Sequence, residues 1–182
     1  MMRLERVLGV ALSVLLLPMA ALAQAGGVDW ADVDCAQSRI WPTMGLRCRS
    51  TAQEGLSRGA DHFRFWNAAG TVKDVKYYYY VAEAVTPRVA VVSKQDLADA
   101  LRVRSPQARG STGMSEIRQL QGADFVSFLS AAKEPCVGIR KTGPVSAEGA
   151  RWLLYATRCV PSGQSITEAD IEGFVREARL RE

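Results

Sequence analysis

Apolar and polar positions alternate along much of the chain, and this pattern predicts strands in the middle of the sequence. β-Branched and aromatic residues dominate His62–Trp66 and Thr71–Glu83, and the turn-forming residues Asn67–Gly70 lie between them. Pro87 ends the second of these strands, because proline cannot donate a ladder hydrogen bond. The wholly apolar run Val89–Val92 then predicts a short strand that is buried on both faces.

Three further strands are predicted in the second half of the chain. They cover Asp124–Leu129, Cys136–Lys141 and Arg151–Cys159. The segment 104–122, which precedes them, contains one proline and three glycines. We therefore expect a loop there, with a turn or two of helix at Ser115–Leu120.

An amphipathic segment after Val89–Val92 predicts a first helix. Its apolar stripe consists of Leu97, Ala98 and Leu101. The Ser93 hydroxyl is placed to cap this helix, and Asp96 then lies in the first turn, where a negative charge is favoured.

The last helix is the best specified element of the sequence. Thr167 is placed to cap it, and Asp170 occupies the third helical position. The buried stripe, spaced i, i+3, i+4 and i+7, is Ile171, Phe174, Val175 and Ala178. Ion pairs are expected on the outer side, at Glu172–Arg176 and Glu177–Arg181. Gly173 costs the helix about 1 kcal/mol, and nothing in the pattern explains it.

These elements predict an α+β fold, an antiparallel sheet of about six strands with two helices packed on one face. Both predicted helices carry a cap, an acidic residue and the same apolar spacing, which suggests a duplicated strands-then-helix unit. We expect a single α+β domain at 61–182. A disulfide-pinned segment at 24–60, without regular elements, precedes it.

The first residues predict a cleaved signal peptide at 1–23. Arg3 and Arg6 form a basic head, and the apolar stretch Val7–Met19 follows. This stretch has thirteen residues, fewer than the ~20 of a transmembrane helix. Ala21–Ala23 supplies the small residues that signal peptidase requires. We therefore expect export, to the bacterial periplasm or outside the cell, with no transmembrane span after cleavage.

Four cysteines lie in the predicted mature part, and in an oxidising compartment they should pair. Of the three possible connectivities we favour the sequence-local one, Cys35–Cys48 with Cys136–Cys159. In that register Gly138 lies opposite Thr157, which keeps an apolar face on the paired strands. The chain has one histidine and no Cys-x-x-Cys, so we expect neither a metal site nor a redox pair.

Composition and charge narrow the function classes. The net charge of +4 and the pI near 9.0 are too modest for a nucleic-acid-binding protein. The chain has no Gly-x-Ser-x-Gly elbow and no phosphate-binding loop. Asp61 and His62 are adjacent on a predicted strand and point to opposite faces, so they cannot act as a catalytic dyad. We expect no catalytic residue and no cofactor.

The tyrosine run 77–80 is the feature least like an ordinary strand. One pair of tyrosines faces the core, so the other pair, Tyr78 and Tyr80, can line an outer face beside Lys76. A basic region follows, in which Arg104 and Arg109 suit an acidic partner or an anionic envelope component. These residues suggest an exported, non-enzymatic binding module for a protein or envelope component. The alternatives are an inhibitor or immunity-type protein that blocks a hydrolase with the 104–122 loop, and a small envelope hydrolase.

Overall fold

An eight-stranded antiparallel sheet, larger than the predicted sheet of about six strands, forms the centre of the protein. The computed structural model describes residues 30–51, 63–86, 89–91 and 95–181, so the predicted signal peptide and His62 lie outside the described residues. The strand order is β1-β3-β4-β5-β11-β8-β7-β6. These strands are β1 (Trp30–Val33), β3 (Arg47–Thr51), β4 (Phe63–Val72), β5 (Val75–Ala84), β6 (Arg118–Leu120), β7 (Ala123–Leu129), β8 (Pro135–Thr142) and β11 (Trp152–Cys159). Two small two-stranded sheets pair β2 (Ile40–Trp41) with β12 (Arg179–Leu180) and β9 (Val145–Ser146) with β10 (Gly149–Ala150).

The longest hairpin joins β4 to β5, and its turn lies further along the chain than the sequence pattern predicted. Strand β4 continues through the expected turn Asn67–Gly70 to Val72, so that prediction is wrong. The chain reverses at Lys73 and Asp74, both with positive φ, as a two-residue hairpin turn requires. Asn67 donates its side-chain amide to the Tyr79 carbonyl at 2.8 Å instead of forming a turn.

Strands β8 and β11 pair in the predicted register. Cys136 lies opposite Cys159 and Gly138 lies opposite Thr157. The disulfide Cys136–Cys159 joins the two strands across a Cα–Cα distance of 4.1 Å. Both predicted disulfides are therefore present, the other being Cys35–Cys48.

The two helices, α1 (Leu97–Arg104) and α2 (Glu168–Glu177), pack on opposite faces of the sheet, not on one face as predicted. We name the two faces after the helices. On the α1 face, Leu101 packs among residues that include Phe128 and Tyr155. On the α2 face, Phe174 packs among residues that include Tyr79. Central strands β5, β8 and β11 carry buried residues on both faces, so each face needs its own cover.

Gly138 lets α1 approach the sheet closely. A Cβ at this position would overlap Leu101 Cδ1, well inside the 3.0 Å that real Cβ contacts respect, and would lie 3.3 Å from Phe128 Cε1. Leu101 is fully buried, so it has no solvent-facing space into which it could retreat.

The segment 30–51 has more regular structure than the sequence suggested. Strands β1 and β3 extend the main sheet beside β4, so the expectation of no regular element is wrong for these residues. The strands were missed because they are short and the segment has little apolar–polar periodicity and many small or polar residues. The Cys35–Cys48 disulfide and fully buried Ile40 hold the intervening chain against the α2 face.

Several local predictions also need correction. Helix α1 begins one residue after Asp96, whose carboxylate accepts from Ala98 N–H at 2.8 Å, so Asp96 is the cap, and Ser93 lies outside the described residues. The buried stripe contains Ala100 in addition to Leu97 and Leu101, whereas Ala98 is only half-buried.

Two other segments differ from expectation. The predicted helical turns at 115–120 are wrong, because a two-residue turn at Gln121 and Gly122, both with positive φ, folds β6 back onto β7. In the run Val89–Val92 only Val91 makes a ladder contact, an isolated bridge to Ala150, and Val92 lies outside the described residues.

The order of strands is alike in the two halves of the chain. β3-β4-β5 and β7-β8-β11 are both three-stranded meanders followed by a helix, and β5 and β11 meet at the centre of the sheet. The helices nevertheless cover opposite faces, which an exact repeat would not produce. The duplicated unit therefore stays a prediction. Neither of the described helices is long and apolar enough to cross a lipid bilayer.

Candidate binding site

A cavity of about 190 Å³ opens on the α1 face of the sheet. We call it the Tyr80 cavity, and three strands, α1 and the chain near the bridge to Ala150 contribute to its walls. Its lining residues are Phe63, Phe65, Tyr80, Ala82, Val91, Arg104, Leu153 and Tyr155. All but Arg104 are apolar or aromatic, so the cavity is an apolar recess with one cation at its wall.

Tyr80 is the centre of an aromatic cluster that forms this recess. Its ring centroid lies 6.0 Å from that of Phe65, 6.4 Å from that of Tyr155 and 6.2 Å from that of Trp30. The β4–β5 and β5–β11 pairings bring Phe65 and Tyr155 to Tyr80, and the β1–β3 and β3–β4 pairings bring Trp30 to the same α1 face. Burial raises the pKa of Tyr80, while nearby Arg104 acts in the opposite direction. The phenol therefore stays neutral and keeps its O–H as a donor.

The end of α1 places Arg104 over the tyrosine rings. The helix stops at Ser105, whose hydroxyl lies 2.9 Å from the Thr157 hydroxyl in the buried centre of the α1 face. This contact fixes the last turn of α1 against β11. The Arg104 guanidinium carbon then lies 4.8 Å from the ring centroid of Tyr155 and 5.7 Å from that of Tyr80, within cation–π range.

The charge of Arg104 has no carboxylate partner within the part of the chain that the structure describes. Its guanidinium donates to the Gln95 side-chain oxygen at 2.8 Å and to the Ala100 carbonyl at 3.3 Å, which are both neutral acceptors. Two other arginines on this face are in ion pairs, Arg102 with Asp99 at 3.0 Å and Arg140 with Asp124 at 2.6 Å, whereas Arg151 donates to backbone carbonyls. Arg104 is therefore a fixed positive charge beside an apolar recess, an arrangement that suits a partner with an acidic group next to an apolar one.

The five residues singled out in the sequence all belong to the α1 face or to the chain that follows α1, but only Tyr80 and Arg104 line the cavity. Lys76 forms an ion pair with Glu134 at 2.5 Å and lines a separate recess, so its charge is already compensated. Tyr78 is half-buried, and burial raises its pKa to about 12 against the opposing charges of Arg104 and Arg109. Arg109 itself is exposed.

Sequence reasoning missed most of the apolar wall. Phe63 and Phe65 were assigned to a strand, and their two-residue spacing was a usable signal that they share a face. Leu153 and Tyr155 gave no such signal, because they reach Tyr80 only through the pairing of β5 with β11, more than seventy positions apart in the chain.

The described residues contain no cluster of three or more His, Cys, Asp or Glu side chains that could hold a metal ion. Comparison of the chain with protein-family models, with curated protein sequences and with solved structures finds no match. A function for this chain therefore has to be inferred from the geometry of the site.

Proposed function

We propose that this chain is an exported, non-enzymatic binding module of the bacterial periplasm or secretome, and that it captures a protein partner at the Tyr80 cavity. The partner inserts one apolar or aromatic side chain into the recess and places a carboxylate against Arg104. The observation that carries the proposal is the uncompensated Arg104 guanidinium, held over Tyr80 and Tyr155 at the wall of an apolar recess.

The size of the recess favours a protein over a small molecule. Ligand pockets for drug-sized molecules measure roughly 300–1,000 Å³. The Tyr80 cavity, at about 190 Å³, is smaller and suits a single large side chain. Buried aromatic and arginine anchors of this kind carry most of the binding energy in protein interfaces.

The test fills the cavity without removing a contact. Ala82→Leu adds three carbons at a position that lines the recess and is 6% exposed, and Arg104→Gln removes the charge but keeps donor groups. Replacing Tyr78 and Tyr80 by serine is less suitable, because Tyr80 packs against three other rings. Met44→Ser serves as the matched control, since Met44 is 88% exposed and far from this recess on the α2 face.

The oxidised protein and its variants are immobilised and exposed to envelope extract of the producing bacterium. The proposal predicts one stoichiometric protein, retained by the wild type and by Met44→Ser, and lost with Ala82→Leu and Arg104→Gln at unchanged thermal midpoint. Equal retention by all variants would refute the assignment of the site. Retention of lipid or glycan alone, or of nothing, would refute a protein partner.

The alternative of an inhibitor that uses the 104–122 loop remains a second candidate. The loop contains no cysteine, but buried Ser105 and the bridge between Thr112 and Leu129 hold it in place. Ile117, 43% exposed, is its most prominent apolar side chain. Loss of partner capture with Ile117→Ser but not with Ala82→Leu would favour this alternative.

A further inference from the structure

Two adjoining cavities lie on the α2 face, on the other side of the sheet from the Tyr80 cavity. One, of about 220 Å³, lies beside the 42–46 segment, and its walls include Pro42 and Leu46. The other, of about 290 Å³, lies along α2. Tyr77 and Glu177 line both cavities, so the two adjoin at these residues, and we call the pair of cavities the Tyr77 groove. Each cavity alone is smaller than the roughly 300–1,000 Å³ of sites for drug-sized molecules, so the groove suits a smaller ligand.

The floor of the Tyr77 groove is aromatic. The rings of Tyr77 and Tyr79 are parallel to within 3° with centroids 6.4 Å apart, and Phe174 lies 6.4 Å from Tyr77 and 6.0 Å from Tyr79. Tyr79 is buried, whereas Tyr77 is half-buried and lines both cavities. The face of an aromatic ring attracts a cation through its quadrupole.

The charges in the groove leave one carboxylate uncompensated. Arg158 and Asp170 neutralise each other, with Nη2 and Oδ1 3.1 Å apart. Glu177 makes no ion pair within the described part of the chain. The expected pair with Arg181 does not form, because α2 ends at Glu177 and Arg181 donates to the Ala36 carbonyl instead. The junction of the two cavities therefore carries a net negative charge beside an aromatic ring.

Gly173 keeps the α2 part of the groove open. It lines that cavity from the middle of the helix, and a Cβ at this position would meet no atom within 4 Å. Steric crowding therefore does not require glycine here, although glycine costs a helix about 1 kcal/mol relative to alanine. Any side chain at this position would extend into the cavity, so the glycine preserves empty space.

We propose that the Tyr77 groove binds a small organic cation with an apolar body. The ammonium group lies between Glu177 and the Tyr77 ring, and the body occupies the apolar cavity beside Leu46. This proposal uses the opposite face from the Tyr80 cavity and does not depend on the proposed function.

The test uses two probes that differ in charge but hardly in shape, 2-phenylethylammonium and 2-phenylethanol, each titrated into the ¹⁵N-labelled oxidised protein. We expect amide shifts at Gly173, Glu177 and Met44. The ammonium should bind about five-fold more tightly than the alcohol, the scale of one exposed charge contact. Glu177→Gln should abolish this preference, whereas Glu172→Gln, the same change on α2 outside the lining residues, should keep it.

A second variant tests the space itself. Gly173→Leu places a good helix former one helical turn before Glu177, against the junction where the ammonium group lies, and should abolish the preference for the ammonium while the fold persists. Equal affinities for the two probes would overturn the proposal. So would shifts confined to another surface, a preference that survives Glu177→Gln, or the absence of saturable binding at millimolar concentrations.

Discussion

Gly138→Ala should destabilise the protein, although alanine is ordinarily the better residue in a strand. The added Cβ would overlap Leu101 Cδ1 and lie 3.3 Å from Phe128 Cε1, and both of these side chains are buried. Overpacking a filled core costs about 1–3 kcal/mol, and the reduced freedom of the unfolded chain returns about 0.4–1 kcal/mol. We therefore expect a net loss of about 1–2 kcal/mol in the free energy of unfolding.

The measurement is urea unfolding of the oxidised protein, followed by tryptophan fluorescence. Gly173→Ala is the matched control, because its Cβ meets nothing within 4 Å, and it should raise stability by up to about 1 kcal/mol. Leu101→Ala removes the side chain that the new methyl group strikes. The double variant should therefore lose about 1 kcal/mol less than the sum of the single losses. A neutral Gly138→Ala, or additive losses, would refute the close packing of α1 on β8.

Three further predictions concern the cap of α2 and the second disulfide. Thr167→Ala should lower stability by about 1 kcal/mol, because it breaks a capping box in which the hydroxyl accepts from Asp170 N–H; an unchanged urea midpoint would contradict this. Hydrogen bonds from Thr167 and the nearby Arg158 hold the pKa of Asp170 at about 2, below its ordinary 3.8. The ionised Asp170 side chain therefore contributes to the free energy of unfolding above pH 3.8, and this contribution is lost as the pH falls through 2. Urea unfolding of Asp170→Asn at a series of acid pH values should not show this loss. Replacing Cys136 and Cys159 together by alanine should lower the free energy of unfolding by about 3 kcal/mol, measured with urea, because the disulfide restricts the unfolded chain. A loss below about 1 kcal/mol would contradict this.

Local signals predicted the elements whose partners are near in sequence. The cap of α2 follows from Thr167 and Asp170, three positions apart, and the structure contains both hydrogen bonds of the capping box. The register of β8 with β11 followed from one assumption, that Cys136 lies opposite Cys159. In each case a few residues close in the chain determine the geometry.

The relation of the helices to the sheet could not be predicted in the same way. The face on which each helix packs depends on how the whole sheet is assembled. That assembly includes the pairing of β5 with β11, two strands that lie far apart in the sequence. The four consecutive tyrosines of β5 place an aromatic pair on each face, yet the pattern showed neither that both pairs would be covered nor which helix would lie over each.

The candidate site was likewise predicted only in part, for the residues that stand out by type and not for the contacts between them. Tyr80 and Arg104 stood out by residue type, as a tyrosine in an aromatic run and an arginine near a helix end. The contacts of Arg104 with Tyr80 and with Tyr155 depend on the Ser105–Thr157 hydrogen bond that ties α1 to β11. No spacing in the sequence encodes that bond, which joins residues fifty-two positions apart.

Site-specific photo-crosslinking in the living cell tests the central claim, that the Tyr80 cavity receives a protein partner, most directly. A photoreactive phenylalanine analogue replaces Phe63 at the cavity in one strain and exposed Met44 on the other face in a second. We predict one cross-linked protein from position 63 and none from position 44, and the product should disappear when Arg104→Gln is added. No cross-linked protein at position 63, or the same product from both positions, would contradict the claim.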